Sequence, residues 1–253
     1  MLPLSRNLPP ELLQLLRALR LGPIAETLPE RLLQARERTM DPQDVLTVIF
    51  GDEVERRRGK ATHERAKKAG LHPEMVLDAW DRQAKVTYDR DLLDELMLLR
   101  FIDRHQNVCI VGPVGVGKTM IAHGLGHIAC ARGKTVVCQT AAKMFHLLRA
   151  SRLDASHTQE MRRLMTADLL ILDDFVQRPM DGHDTVDFGE ITEFRHRKAS
   201  VIVTSNRDPS EWQAMLAEPL HAQAIVDRIV NNSHDLVIEG ESYRKQQKPK
   251  RER

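Results

Sequence analysis

The chain has 253 residues and a formal net charge of +2 at pH 7. Its hydrophobic fraction of 42% and charged fraction of 29% are ordinary for a globular protein. The length fits one large α/β domain, alone or with a small second domain. No stretch approaches the roughly 18 apolar residues that a membrane span needs. Any nucleic-acid contact must come from local basic clusters, which occupy residues 56–68, 149–163 and 244–253.

The cysteine pattern argues against a disulfide framework or a zinc site. Cys109, Cys130 and Cys138 form no C-x-x-C pair, and their apolar neighbours predict buried thiols in a reducing compartment. The N-terminus lacks a basic segment followed by an apolar run, so it does not read as a secretory signal. We therefore expect a cytoplasmic protein.

The first part of the chain is predicted to be helical. Pro9 and Pro10 precede an amphipathic run at residues 11–19, a second run covers residues 29–35, and Asp41-Pro42 can begin a third helix. We expect a small all-α domain over residues 1–75. Residues 76–106 are expected to be a linker and a lead-in helix.

The pattern changes at residue 107, where short apolar strands begin to alternate with helices. Strands are predicted at residues 107–111, 135–140, 168–173, 200–205 and 235–239. Such alternation favours a parallel, doubly wound sheet flanked by helices, which we place at residues 107–243. Residues 244–253 form a short basic tail.

A complete phosphate-loop motif, G-x-x-x-x-G-K-[ST], follows the first of these strands and precedes a helix. Its residues are Gly112, Pro113, Val114, Gly115, Val116, Gly117, Lys118 and Thr119. Glycines let backbone N–H groups approach phosphate oxygens, and the helix N-terminus adds its dipole. Lys118 is expected to reach the β- and γ-phosphates, and the Thr119 hydroxyl to ligate Mg²⁺. The motif predicts ATP binding.

Two further strands end in polar residues that suit phosphoryl chemistry. An apolar run ends in Asp173, placed to hold Mg²⁺, and Asp174, placed to orient the attacking water. A plain turn after the strand is the alternative. Asn206 follows another apolar strand and can hydrogen-bond the γ-phosphate or the attacking water, or it simply begins a loop. Arg228, beside Asp227, is either an exposed ion pair or an arginine finger supplied to a neighbouring subunit.

These motifs resemble the AAA+ ATPases of the DnaC-like helicase-loader branch, and most closely the IstB-like transposition helper ATPases of insertion sequences. The resemblance covers nearly the whole chain. Its motifs are residues 19–22, 53–70, 108–119, 169–174, 204–207 with Trp212, 227–228 and 240–244.

The resemblance implies a role for each matching residue. Lys118 and Thr119 would bind nucleotide and Mg²⁺, Asp173 would hold the metal, Asn206 would be the first sensor and Arg228 the arginine finger. Asp174 stands where most AAA+ proteins have Glu, so either hydrolysis is slow or the attacking water is placed differently.

No C-terminal helical lid fits after the last strand, so nucleotide would be closed in by a neighbouring subunit of a homo-oligomer. Arg244 would replace the missing second sensor or make a surface contact.

The resemblance also implies a DNA-facing segment between the second and third strands. Its basic residues are Lys143, Arg149, Arg152, Arg162 and Arg163. Few aromatic residues accompany them, so backbone contact with little sequence preference is expected. Arg56, Arg57 and Arg58 would add a second DNA contact or bind the transposase, or would simply be a solvated helix face.

Three functions remain open at this point. The first is an ATP-dependent helper that oligomerises on double-stranded DNA and assists a cognate transposase. The second is a replicative helicase loader, for which a preference for single-stranded DNA would argue. The third is a small-molecule phosphate-loop kinase or nucleotide-binding switch, which would need an acceptor pocket and a lid.

Overall fold

A computed structural model describes residues 8–80 and 85–242. The chain divides into two compact units, Met1–Thr62 and His63–Arg253. This division differs from the expected boundary near residue 75. The reason is that Ala66, Ala69 and Leu71 are buried in the hydrophobic core of the second unit.

The described part of the first unit is helical, as expected. It contains α1 (Pro10–Ala18), α2 (Ile24–Glu37) and the beginning of α3 (Pro42–Ala69). Leu16, Ile24, Leu28 and Ile49 are among the residues that form its small core. A bidentate ion pair between Arg31 and Asp52 adds a polar link between α2 and α3.

A five-stranded parallel sheet forms the centre of the second unit, and its strand order is β3-β4-β5-β2-β6. A separate antiparallel pair joins β1 to β7. The strands are β1 (Val86–Thr87), β2 (Asn107–Val111), β3 (Val136–Thr140), β4 (Leu169–Asp173), β5 (Ser200–Ser205), β6 (Ser233–Val237) and β7 (Glu239–Gly240). The predicted parallel α/β fold is confirmed.

Helices cover the sheet and connect its strands. They are α4 (Arg90–Met97), α5 (Arg100–Asp103), α6 (Lys118–Ala131), α7 (Ala141–Ser151), α8 (His157–Thr166), α9 (Gly182–Arg195), α10 (Pro209–Trp212) and α11 (Pro219–Val230). Short 3-10 helices cover Leu77–Ala79 and Gln213–Met215. Within the described residues, β6 is followed by β7 and by no helical lid.

The buried strands contribute side chains to a hydrophobic cluster on each face of the sheet. Side chains alternate along a strand, so Leu170 and Leu172 belong to one hydrophobic cluster while Leu169 and Ile171 belong to the other. Strands buried on both faces read as continuous apolar runs. This is why the apolar segments of the sequence locate the strands well.

Strand register brings the carboxyl ends of three strands together. In the parallel ladders Val111 pairs with Ser205, and Leu172 pairs with Val203. The residues that leave β2, β4 and β5 therefore meet at one edge of the sheet. Ligands bind at such edges in open α/β sheets.

The Arg195 side chain links α8 to the start of β5 through hydrogen bonds. Its side chain is 1% exposed and donates to the carbonyl oxygens of Leu164 and Ala167, each at 2.8 Å, and of Ser200 at 2.5 Å. Burial lowers the pKa of Arg195 to about 10. The guanidinium thus satisfies carbonyls at the end of α8 and at the start of β5.

The three cysteines are free and buried, as their apolar neighbours predict. Burial raises the pKa of Cys109 and of Cys138 to about 12, so both thiols stay protonated at neutral pH. In the part of the chain that the structure describes, no helix combines the length and apolar character needed to cross a membrane.

Replacing Arg195 by Met should destabilise the protein by about 3 kcal/mol or more, because buried carbonyls lose their donor. Arg197→Met is the matched control, since Arg197 is exposed two residues away. Urea unfolding measures both free energies. Equal stabilities for the two variants would contradict the role given to Arg195.

Candidate nucleotide-binding site

The phosphate loop connects β2 to α6 at the sheet edge where the strand ends meet. Gly115 and Gly117 have φ values of +87° and +99°, in the region that favours glycine. A Cβ at Gly117 would lie 2.2 Å from a ring carbon of Trp80. Glycine at this position therefore serves both the backbone turn and the close approach of the tryptophan.

Lys118 begins α6 and is 7% exposed. Its Nζ donates to the carbonyl oxygens of Gly112 and Pro113, each at 2.7 Å, so the ammonium group lies against the loop. Val116 is 1% exposed and anchors the loop in the core, whereas Val114 at its tip is 60% exposed. A positive charge and a helix N-terminus converge here, as an anion site requires.

Two hydroxyl groups hold the Asp173 carboxylate at the end of β4. Thr119 Oγ1 donates to Asp173 Oδ1 and Oδ2 at 3.0 and 3.1 Å. Thr204 Oγ1 donates to Asp173 Oδ1 in a short hydrogen bond. Asp173 is 6% exposed. The phosphate-loop helix and two neighbouring strands thus meet at one carboxylate.

The donor set fits Mg²⁺ as the resemblance implies. Mg²⁺ prefers hard oxygen ligands and is usually held by one or two carboxylates together with substrate phosphates. Thr119 and Asp173 supply a hydroxyl and a carboxylate of that kind, next to the phosphate loop. These two residues would hold the ion, which would neutralise charge on the phosphates.

Asp174 and Asn206 line the same cavity as Lys118 and Thr119, together with Gln177. Asp174 is exposed and has φ of +56°, an uncommon backbone conformation for a residue other than glycine. Its backbone N–H donates to Thr204 Oγ1 at 3.0 Å. The structure therefore brings together Lys118, Thr119, Asp173, Asp174 and Asn206.

The cavity has a volume of about 610 Å³, within the usual range for a nucleotide-sized ligand. His72, Met75, Trp80 and Val86 form part of its wall. The Trp80 ring packs edge-on against Tyr88 and donates from Nε1 to the Tyr88 hydroxyl at 3.0 Å.

Trp80 and Val86 lie in the segment expected to be a linker, and His72 and Met75 lie at the end of the expected helical domain. Trp80 is one of only two tryptophans in a chain with 4% aromatic residues. This scarcity is the one feature of the sequence that could have marked Trp80 as a site residue. Its contact with the loop depends on tertiary folding, which the motif does not reveal.

Arg228 lies far from the phosphate loop of its own chain. Asn107, the first residue of β2, donates from Nδ2 to the Arg228 carbonyl oxygen at 3.2 Å. The loop begins after Val111, at the other end of that strand. Five residues of strand span about 16 Å. The Arg228 side chain is 30% exposed and lies 3.9 Å from Glu193.

Two of the arginines expected to contact DNA are paired with buried carboxylates. Arg149 contacts Asp184 at 2.5 Å, and Arg152 makes a bidentate pair with Asp187 at 2.7 Å. The carboxylate side chains are 9% and 4% exposed. Burial raises the pKa of Asp184 even though Arg149 opposes the shift, so the ionised carboxylate depends on this partner.

The remaining basic residues of this segment differ in their surroundings. Arg163 pairs with Glu160 at 2.6 Å within α8. Lys143 and Arg162 are exposed, and within residues 8–80 and 85–242 neither side chain forms an ion pair. They are the cations of this segment whose charge is not offset by a contacting carboxylate.

The basic cluster of the first unit is also internally paired. Arg56 and Arg57 both contact Glu53 at 2.7 Å, and Arg58 contacts Glu55 at 2.9 Å. The hydrogen bond from Arg56 lowers the pKa of Glu53 to about 2. Part of the positive charge of this cluster is therefore neutralised locally.

Arg244 lies outside the described residues. The segment just before it reaches the phosphate loop, since a Cβ at Gly115 would lie 2.2 Å from Ser242 Oγ. Ile238 N–H also donates to the Val111 carbonyl oxygen at 2.8 Å. The last described residues thus run along the loop.

The fold and the site together define an ATP-binding protein of the AAA+ phosphate-loop type. A family model described as IstB-like ATP-binding protein matches residues 14–251, and the chain belongs to that family. A protein of Mycobacterium tuberculosis is 32% identical over 243 residues, 96% of this chain and 97% of the relative. Its name describes it as a candidate ATP-binding protein in an insertion sequence.

Solved structures support the same fold at low sequence identity. The DnaC helicase loader is 20% identical, with a TM-score of 0.52 over 66% of this chain and 97% of the loader chain. The replication initiator DnaA bound to AMPPCP and single-stranded DNA is also 20% identical. Its TM-score is 0.54 over 68% of this chain and 51% of the DnaA chain.

Replacing Gly117 by Ala should weaken ATP binding by about 10- to 100-fold, the equivalent of 1–3 kcal/mol of backbone strain. The added Cβ would also displace Trp80. Fluorescence titration with a labelled nucleotide measures the dissociation constant.

Gly133→Ala is the control for this substitution. Gly133 has φ of +81°, but a Cβ there would meet no atom within 4 Å. Its ATP affinity should match the unsubstituted protein. Equal affinities for the two variants would contradict the constraint assigned to Gly117.

Proposed function

We propose that this protein is a Mg²⁺-dependent ATPase that oligomerises on double-stranded DNA and assists an insertion-sequence transposase. The observation that carries the proposal is the gathering of Lys118, Thr119, Asp173, Asp174 and Asn206 at one sheet edge. The family to which the chain belongs supports the link to insertion sequences.

Each residue of this edge has a chemical task in the proposed hydrolysis. Lys118 offsets charge on the β- and γ-phosphates, and Asn206 hydrogen-bonds the γ-phosphate or the attacking water. Asp174 orients that water and accepts its proton. Asp is one methylene shorter than the Glu of most AAA+ proteins, so we expect slow turnover.

Arg228 provides the argument for oligomerisation. Its backbone lies beside the first residue of β2, whereas the phosphate loop follows the last residue of that strand. An arginine finger at this position would act on the nucleotide of a neighbouring subunit. Such a residue stabilises the charge that develops during phosphoryl transfer.

DNA binding is proposed to depend mainly on Lys143 and Arg162. Both are exposed without an ion-pair partner in the described segments. Arg149 and Arg152 are paired with buried Asp184 and Asp187, which offset their charge and make their displacement costly. Arg163 and the cluster Arg56–Arg57–Arg58 remain secondary contacts to DNA or the transposase, and Arg244 remains a second sensor or a surface contact.

A replicative helicase loader is the second candidate. The fold similarity to the DnaC helicase loader favours it, although similarity at 20% identity supports the fold alone. The two functions share their ATP chemistry and differ in DNA substrate. Preference for duplex DNA supports the transposition helper, and binding only to single strands supports the loader.

The test combines assembly and DNA binding in one experiment. Purified protein, a slowly hydrolysed ATP analogue and a duplex of about sixty base pairs are mixed, and assembly size and bound DNA are measured together. Nucleotide-dependent oligomers on duplex DNA are expected, and Lys118→Ala should abolish them. Absence of DNA binding with intact ATP binding would contradict the helper function.

Removing the two exposed cations should weaken duplex binding and its dependence on salt. For the Lys143→Ala/Arg162→Ala double variant, the slope of log affinity against log salt should fall by about 2, since each phosphate contact contributes roughly 0.9. ATP affinity should be unchanged.

The matched control is Arg197→Ala/Lys198→Ala, which removes the same charge from exposed positions after α9. DNA titrations at several salt concentrations give both slopes. If the Lys143→Ala/Arg162→Ala variant has the same affinity and salt slope as its control, DNA binds to another surface of the protein.

A further inference from the structure

Thr204 occupies a position between the two acidic residues of the site, and neither the motif nor the family match assigns it a role. It is the penultimate residue of β5 and is 0% exposed. Its hydroxyl donates to Asp173 Oδ1 and accepts from the Asp174 N–H. Its carbonyl oxygen accepts from the Phe175 N–H at 2.8 Å.

The hydrogen-bonding capacity of Thr204 matches these partners. A threonine hydroxyl has one hydrogen to donate and lone pairs to accept. Its hydrogen goes to the Asp173 carboxylate, and the Asp174 N–H takes a lone pair. The carboxylate is thereby held from one side by Thr204 and from the other by Thr119. The two hydroxyl groups together fix the orientation of the carboxylate.

Thr204 also supports the uncommon backbone conformation of Asp174. A residue other than glycine with positive φ persists only when its surroundings hold it there. The Thr204 hydroxyl and carbonyl bond two consecutive N–H groups, those of Asp174 and Phe175. Asp174 therefore leaves β4 in a conformation fixed by the next strand.

Packing alone does not call for a hydroxyl at this position. The preceding residues of β5, Val201, Ile202 and Val203, are buried and apolar, and valine has nearly the same shape as threonine. A buried hydroxyl is costly unless it is hydrogen-bonded. The hydroxyl is thus explained by the carboxylate and the N–H that it contacts.

We propose that Thr204 is a positioning residue that sets the affinity of the nucleotide site for Mg²⁺ by orienting the Asp173 carboxylate. The proposal rests on the proposed ATPase function, because it concerns the metal that Thr119 and Asp173 would hold. Partners that orient a metal ligand typically change metal affinity by 10- to 100-fold when removed. Thr204 also links β5, the strand that Asn206 follows, to the acidic pair.

The test measures Mg²⁺-dependent nucleotide binding in the full chain. A fluorescent ATP analogue is titrated with Mg²⁺ to obtain the half-saturating concentration, and its affinity is measured separately with EDTA. Thr204→Val should raise the Mg²⁺ midpoint at least about tenfold and leave the affinity in EDTA within about twofold, because Lys118 and the loop are intact. Thr204→Ser should restore the original midpoint.

Two further variants make the result specific. Ser205→Ala removes the adjacent buried hydroxyl, which donates to the Phe175 carbonyl oxygen at 3.1 Å and does not contact Asp173, so the Mg²⁺ midpoint should not move. Thr204→Ala removes the hydroxyl without adding volume and replaces Thr204→Val if that variant fails to fold. It should show the same Mg²⁺ shift.

An unchanged Mg²⁺ midpoint in a folded Thr204→Val or Thr204→Ala protein would overturn the role of Thr204. Equal losses of affinity with Mg²⁺ and with EDTA would also overturn it, because they would indicate general damage to the site. If the unsubstituted protein binds ATP without any effect of Mg²⁺, the proposed Mg²⁺-dependent ATPase fails first. These results separate failure of the inference from failure of the function.

Discussion

The Asp173 carboxylate accepts hydrogen bonds from Thr119 and Thr204, and these bonds join the phosphate-loop helix to two adjacent strands. The carboxylate is buried at the edge where β2, β4 and β5 end. A buried carboxylate needs such partners, because its desolvation is otherwise unfavourable. The same bonds fix the orientation of the carboxylate. Stability and ligand geometry therefore depend on one set of contacts.

A second constraint acts on the backbone around the nucleotide. Gly117 turns with positive φ beneath the Trp80 ring, and Ser242 lies against Gly115. The loop is thus contacted by chain segments that precede and follow the sheet. Backbone amides pre-arranged in this way suit phosphate binding, because little conformational freedom remains to be lost on association.

Sequence patterns predict the sheet and the phosphate loop because both are locally encoded. Buried parallel strands appear as apolar runs, and the loop has fixed spacing of glycine, lysine and threonine. Thr204 and Trp80 were missed because their roles arise from contacts with distant residues, Asp173 and Gly117. The pairing of Arg149 with Asp184 was missed for the same reason. The sequence shows where basic residues cluster along the chain. Which of them are paired with carboxylates depends on the folded structure.

Subunit mixing tests most directly the proposed completion of the ATP site by a neighbouring subunit. Asp174→Asn removes the proposed proton acceptor but leaves ATP binding and Arg228, while Arg228→Ala leaves ATP binding but removes the finger. Each alone should hydrolyse ATP poorly on DNA. A one-to-one mixture should recover about one quarter of the unsubstituted activity, because random assembly pairs complementary neighbours at that frequency. Activity of the mixture no greater than the average of its two components would contradict a site shared between subunits.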